Sequence, residues 1–446
     1  MNIVRFIAAC LAVVAAFRTA RTEASPEVPG APQTQPVALV GGTVHPISGP
    51  DVVGGTVLFA EGRITAVGAK VEVPKNARSI DCRGKHVYPG LIESDCDVGL
   101  SEIASVRATV DHAETGDLNP NVRAQTAFNP DSEIIPVTRS NGVLTAMIAP
   151  SGGLLCGRGA VMRLDGWTWE EMTIRGESAM LVNWPSLVES HTWRLEEAGQ
   201  QEQARAKTIE RLAAVFADAR AYGKLKSARA EQGQTPPPYD ARWEAMQPVL
   251  DGRTPLHVRA DDVRQIQSAV ALARREGVGL VIVGGYHAPE CADLLRAEKV
   301  PVIIKGVNRL PRHRNDPYDA PFTVAARLHR AGVKFSISAS DRMANVRNLP
   351  YHAATAAAHG LPRDEALKSI TLHPAQILGV DKDLGSLEVG KAATLIVTDG
   401  DPLEIPTHVT AAFIDGREVD LSDRHKRLWE KYREKYRRLN DAQGTE

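Results

Sequence analysis

Neither sign of charge dominates this sequence: across 446 residues, 53 basic side chains stand against 54 acidic ones, a formal net charge of -1 at pH 7. Nucleic acid and anionic membrane surfaces recruit proteins through an excess of Lys and Arg, so neither is expected as the main partner. Long apolar runs are also missing. The N-terminal run FIAACLAVVAAF holds roughly a dozen residues, short of the ~20 that a bilayer-spanning helix needs, so no stable membrane insertion is expected. Cysteine is sparse. Cys10 falls in that apolar run, and Cys82, Cys96, Cys156 and Cys291 are scattered without metal-type spacing, which reads as buried thiols rather than a disulfide framework. The stretch GGLLCGRG has glycines at 152, 153, 157 and 159 but no lysine and no strand-to-helix setting for a phosphate loop, and it reads as a turn. SASD has no nucleophile-elbow setting, and no Ser-His-Asp set can be assembled from spacing.

What is present is ordinary in bulk and informative in order. Hydrophobic residues make up 43% and charged residues 24%, and the length points to two or three structural units. The opening MNIVR supplies a positive region ahead of the apolar run, and RTARTEAS follows with Ala24 before a plausible cut. Residues 1–24 therefore read as a cleaved signal peptide and the protein as exported, periplasmic or extracellular. Residues 25–36, SPEVPGAPQTQP, read as a linker. Residues 37–86 and 381–421 share short β-branched runs broken by glycine, such as GGTVLFAEGRITAVG and GSLEVGKAATLIVTDGDPL. Together they predict one small β-sandwich assembled from both ends of the chain.

Residues 87–380 alternate apolar strand-like runs with helical patterns, the mark of a parallel α/β architecture. The runs GLIESD, GVLTAMIA, GAVMRLDG, AMLVNW, PLHVRA, GLVIVGG, VPVIIKG and VKFSISAS supply eight strands, which suits a (β/α)8 TIM barrel. In DDVRQIQSAVALARREG an Asp cap opens a helix that Gly277 closes. The segment 191–252 is an insertion rich in Ala, Glu, Gln and Arg, read either as a solvated helical hairpin or as a lid over the barrel mouth. Residues 422–446 predict a packing helix with Leu428, Tyr432, Tyr436 and Leu439 on one face.

Four segments carry a family resemblance: YPGLIESD, NPDSEIIPVTRSNG, VRNLPYHAATAAAHGL and, longest, TLHPAQILGVDKDLGSLEVGKAATLIV. Through them the chain resembles the amidohydrolase superfamily, in particular its imidazolonepropionase-like branch. The resemblance implies a barrel plus a β-sandwich, a site at the carboxyl ends of the barrel strands, and a small-molecule substrate. It also implies one or two divalent metals that polarise a carbonyl and generate hydroxide for attack on a C–N bond. A small amide, cyclic amide or dipeptide is the implied substrate, and a homo-oligomer is compatible with it.

The metal ligands of the family meet departures here. Where active relatives carry His-x-His at the end of the first strand, this chain has Asp95, Cys96 and Asp97. Period-two alternation aims both carboxylates into the barrel and hides the thiol. Zinc is the metal the resemblance implies, magnesium or manganese the better match if those carboxylates are ligands; the site can equally hold none. On the fifth strand His257 and Arg259 share the inward parity. His257 falls at a family ligand position, and Arg259 can pair with Asp95 or Asp97. On the sixth, relatives have a histidine near Gly285, and His287 lies two residues further on, able to reach the mouth or to sit in a loop. On the eighth, Val333, Phe335, Ile337 and Ala339 form the outward face, so Ser340 takes the place of the catalytic aspartate unless a bulge turns Asp341 inward. The candidate set is thus Asp95, Asp97, His257 and His287 for a metal, with Asp341 and Arg259 catalytic. Its alternative is a non-catalytic barrel binding a ligand or partner at the same mouth. His313, Glu93 and Asp316 keep open roles.

Overall fold

A computed structural model describes residues 28–186, 198–339 and 343–443. The signal-peptide reading of 1–24, the start of the insertion and the pair Ser340 and Asp341 lie outside the described residues. Five strands open the chain: β1 (Val37–Val44), β2 (Val52–Ala60), β3 (Arg63–Gly68), β4 (Arg78–Asp81) and β5 (His86–Pro89). Three more close it: β14 (Leu395–Thr398), β15 (Val409–Ile414) and β16 (Arg417–Glu418). They join one sheet in the order β16-β15-β14-β5-β1-β2-β3, with β4 paired to β1. Its core mixes the two ends, and Phe59 meets Phe413 edge-on at 5.1 Å.

The second sheet runs in sequence order: β6 (Leu91–Cys96), β7 (Val143–Ile148), β8 (Leu155–Arg163), β9 (Thr173–Asn183), β10 (Leu256–Ala260), β11 (Leu280–Gly284), β12 (Val302–Lys305) and β13 (Phe335–Ser338). Alternating with helices, it forms a nearly closed eight-stranded barrel. One strand departs from the expected parallel order, because β8 is antiparallel to both β7 and β9. The cause is chain length: the connection 149–154 is too short for the dozen or more residues of a parallel crossover, so the chain turns back as a hairpin. Most of the expected turn GGLLCGRG is accordingly strand, from Leu155 onward.

Alternation then sorts the side chains. Leu256, Val258, Ile282, Val302, Ile304, Phe335 and Ile337 fill the layer between sheet and helices. Helix Val263–Glu276 packs Ile266, Ala269, Val270 and Ala273 there, opens with Asp262 in a capping box with Gln265, and ends at Gly277 in the left-handed conformation. The insertion forms helices Ala198–Glu231 and Ala241–Leu250. Leu212, Val215, Phe216, Met246 and Val249 join the main core, so this hairpin is a packed flank of the barrel. The last helix, Arg424–Gln443, differs from the expected packing helix: Leu428, Tyr432, Tyr436 and Leu439 are exposed, and Arg427 reaches Glu133 near the helix start.

Candidate functional site at the barrel mouth

The first barrel strand is not regular where it matters. β6 pairs Glu93 with Ala146 and Cys96 with Ile148, so three residues step past two and a bulge falls at Ser94 and Asp95. A bulge leaves ladder donors unpaired, and Glu93 takes them: one carboxylate oxygen accepts from the N–H of Ser94 at 2.9 Å and of Asp95 at 3.0 Å. The other accepts from Ala339 N–H at 2.8 Å, on the far side of the seam between β6 and the end of β13. Ser336 and Ser94 hydroxyls meet at 3.1 Å, and Ser338 donates to the Asp95 carbonyl at 3.1 Å. Side-chain bonds thus close the barrel at this seam. Burial pushes the Glu93 carboxyl up to about 7, against the pull of those hydrogen bonds.

With the bulge in place, Asp95 is fully buried and its carboxylate meets two cations. Lys305 Nζ lies 2.6 Å from one oxygen and Arg259 Nη2 3.4 Å from the other. Burial alone would raise its pKa; Lys305 and Arg259 outweigh it and hold the carboxyl down at about 2. Arg259 is fixed in turn, because its Nη1 donates to the Pro150 carbonyl at 2.9 Å and to Asn183 Oδ1 at 3.1 Å. Asn183 donates to the Ser151 and Gly153 carbonyls at 2.7 and 2.8 Å. The turn between β7 and β8 therefore grips the guanidinium through main-chain oxygens. Asp97, whose side chain is 23% exposed, sits 3.9 Å from His112 Nδ1, and burial raises its carboxyl. A cavity of about 280 Å³ opens over Asp95, Asp97, His112, Asn183, Arg259 and Lys305.

His257 is fully buried on the inward face of β10, and neither ring nitrogen has a hydrogen-bond partner among the described residues. Burial lowers its pKa to about 4, so the ring is neutral near pH 7. His287 is elsewhere. It lies 3.4 Å from Asp262 and stacks on His313 at 5.1 Å between ring centroids, on loops that follow β10, β11 and β12. Nor can the backbone carry a histidine at 285 without strain: Gly285 has φ +64°, and a Cβ there would meet Val302 Cγ1 at 2.5 Å. Of the six candidates, the structure brings Asp95, Asp97 and Arg259 to one cavity, sets His257 on the inward face next to Arg259, and takes His287 away; Asp341 lies outside the described residues. Lys305 escaped the sequence reading, although a lysine closing the apolar run VIIK, in register with Ser338, was the available cue.

These groups test the divalent ion that the resemblance implies. A metal needs free carboxylate lone pairs, and both Asp95 oxygens already face cations. Two positive groups within salt-bridge distance repel a third. The unpartnered His257 fits a metal; the Asp95 surroundings and Gly285 do not, and as a set the mouth residues do not match the group.

Comparison with known proteins agrees with the architecture. The profile of the amidohydrolase family matches residues 188–420, more than half of the chain. The chain is 25% identical over 395 residues to Amidohydrolase tasK of Hapsidospora irregularis, a match covering 81% of this chain but 39% of that protein. It is 24% identical over 392 residues to the imidazolonepropionase of Symbiobacterium thermophilum, covering 80% of this chain and 85% of the relative. The crystal structure of an amidohydrolase from Thermotoga maritima superposes with a TM-score of 0.77 at 26% identity, covering 86% of this chain and 99% of that one. A barrel in sequence order, a sheet built from both chain ends, and a profile match over the last four barrel strands and the returning sheet, more than half of the chain, lead to one assignment: the chain belongs to the amidohydrolase family.

Proposed function

We propose that this amidohydrolase-family barrel binds a small polar molecule of the amide, cyclic amide or dipeptide class at its mouth without a metal there. An Asp95–Lys305–Arg259 ion network takes the place of the first-strand metal ligands. The observation that carries this reading is the clamp on Asp95, fully buried with Lys305 at 2.6 Å and Arg259 at 3.4 Å. The cavity of about 280 Å³ is small, and Asp97 and His112 offer it polar groups that the clamp does not use. We further propose export, with residues 1–24 removed; the positive start and apolar run support it, and N-terminal sequencing of the mature protein tests it.

A second reading, a metal-assisted hydrolase of C–N bonds, is favoured by one observation: His257 stands buried with both nitrogens unpartnered among the described residues. The two readings separate in one experiment. Metal content is measured in the purified wild type and in His257→Ala, and thermal-shift binding of dipeptides and cyclic amides is measured with excess chelator. Binding that survives the chelator, with metal content unchanged by His257→Ala, supports the proposal. A stoichiometric ion lost in that variant, together with chelator-sensitive hydrolysis, overturns it.

A further inference from the structure

Outside the mouth cavity, three potential ligands converge on the barrel rim. Asp262 follows β10, His287 follows β11, and His313 lies on the loop after β12. One ligand atom from each lies within 4.8 Å of the others. His287 Nδ1 is 3.4 Å and His313 Nε2 3.7 Å from Asp262 Oδ1. A tetrahedral zinc site, with bonds of about 2.0–2.2 Å, places ligand atoms about 3.4 Å apart, so two edges are close to that spacing already.

A second observation is independent of this spacing. The Asp262 side chain is more than nine-tenths buried, and its Oδ2 has no hydrogen bond among the described residues. Arg312 Nη2 stands 3.6 Å from that oxygen, but the same guanidinium has a closer partner in Asp261. A metal on Asp262 would leave Arg312 with that partner. The backbone holds the histidines in place: His287 N–H donates to the Asp261 carbonyl at 2.8 Å, and His313 N–H to Asp316 at 2.9 Å. Asp316 also accepts from the Tyr286 hydroxyl at 2.7 Å.

We propose that Asp262, His287 and His313 form a zinc-type divalent metal site on the barrel rim, separate from the mouth, with one coordination position left open. Two imidazole nitrogens and one carboxylate oxygen favour zinc or cobalt over calcium or magnesium. An ion there would tie together the loops after β10, β11 and β12.

The test is titration of the chelator-stripped full chain with Co2+, read by visible d–d absorption, and with Zn2+, read by calorimetry. The expected result is one equivalent bound with tetrahedral Co2+ bands, and at least a tenfold loss of affinity in both His287→Ala and His313→Ala. His257→Ala should keep the bands. The His313 side chain is 42% exposed, so its removal leaves the fold intact and the comparison fair. No saturable uptake, uptake that persists in both rim variants, or loss of uptake only in His257→Ala would each overturn the rim site. The last outcome would move the ion to the mouth and revise the preceding reading instead.

Discussion

Asp95 has a cation at each carboxylate oxygen, so deleting either one leaves a buried charge short of compensation. Lys305→Met is expected to cost about 3–5 kcal/mol, the range for breaking a buried ion pair, as measured by urea unfolding. Replacing the whole network with apolar groups of similar volume should cost less, because the desolvation of the ions disappears with them. Titration adds a second residue-scale expectation. Folding lowers His257 and His352 from 6.5 to about 4 in each case, chiefly by burial; His352 Nδ1 also accepts from two backbone N–H groups, as only a neutral ring can. For these bases the unfolded chain binds more protons between pH 4 and 6.5, so stability is full above 6.5 and is lost as pH falls toward 4. Glu93, raised from 4.5 to about 7, works in the opposite sense. Among these three groups the two imidazoles outweigh the one carboxyl, so together they contribute a loss of about 3 kcal/mol on acidification from pH 7 to 4. Unfolding midpoints across that range check it, and a flat profile would contradict the burial argument.

Elements decide where those residues go, and here sequence reading reached only part of the way. Parity on β10 put Arg259 on the same side as Asp95, and alternation alone suffices for that. It could not give the bulge at Ser94 and Asp95, because a bulge leaves no mark in a run as short as LIESDC; the pairing with β7 and the hydrogen bonds of Glu93 reveal it. Glu93→Gln tests this role. An amide can accept from one side of the seam but turns its NH2 toward Ala339 N–H or toward the Ser94–Asp95 pair, leaving a buried donor unpaired. A loss of about 1–3 kcal/mol is expected in calorimetric unfolding. The loop after β11 makes a similar point. Gly285→His, which would install the histidine that the family resemblance implies near this position, must strain a positive φ and push Val302 aside. It should lower stability by roughly 1–3 kcal/mol and leave mouth metal content unchanged, as elemental analysis can determine.

At the scale of the whole molecule, the eight barrel runs and the sheet shared by both chain ends were legible because each is a local pattern repeated along the sequence. The direction of β8 was not, since strand direction depends on the length of a turn rather than on residue type. The final helix shows the same limit: heptad-like spacing of Leu428, Tyr432, Tyr436 and Leu439 signals an amphipathic helix but not what, if anything, lies against it. With that face exposed, truncation after Asp423 should leave the thermal midpoint within about 2 °C of the full chain, the ion pair to Glu133 being a surface pair of small worth.

The reversed strand carries one more consequence. Because the chain doubles back at 149–154, what that corner contributes is main-chain oxygens: Pro150 holds Arg259, and Ser151 and Gly153 hold Asn183. Substitutions along that corner that keep its path would be silent for the clamp, whereas inserting or deleting a single residue there would release it. Drift in the length of one hairpin, rather than in the identity of its amino acids, is therefore the genetic change most able to unlock this cavity.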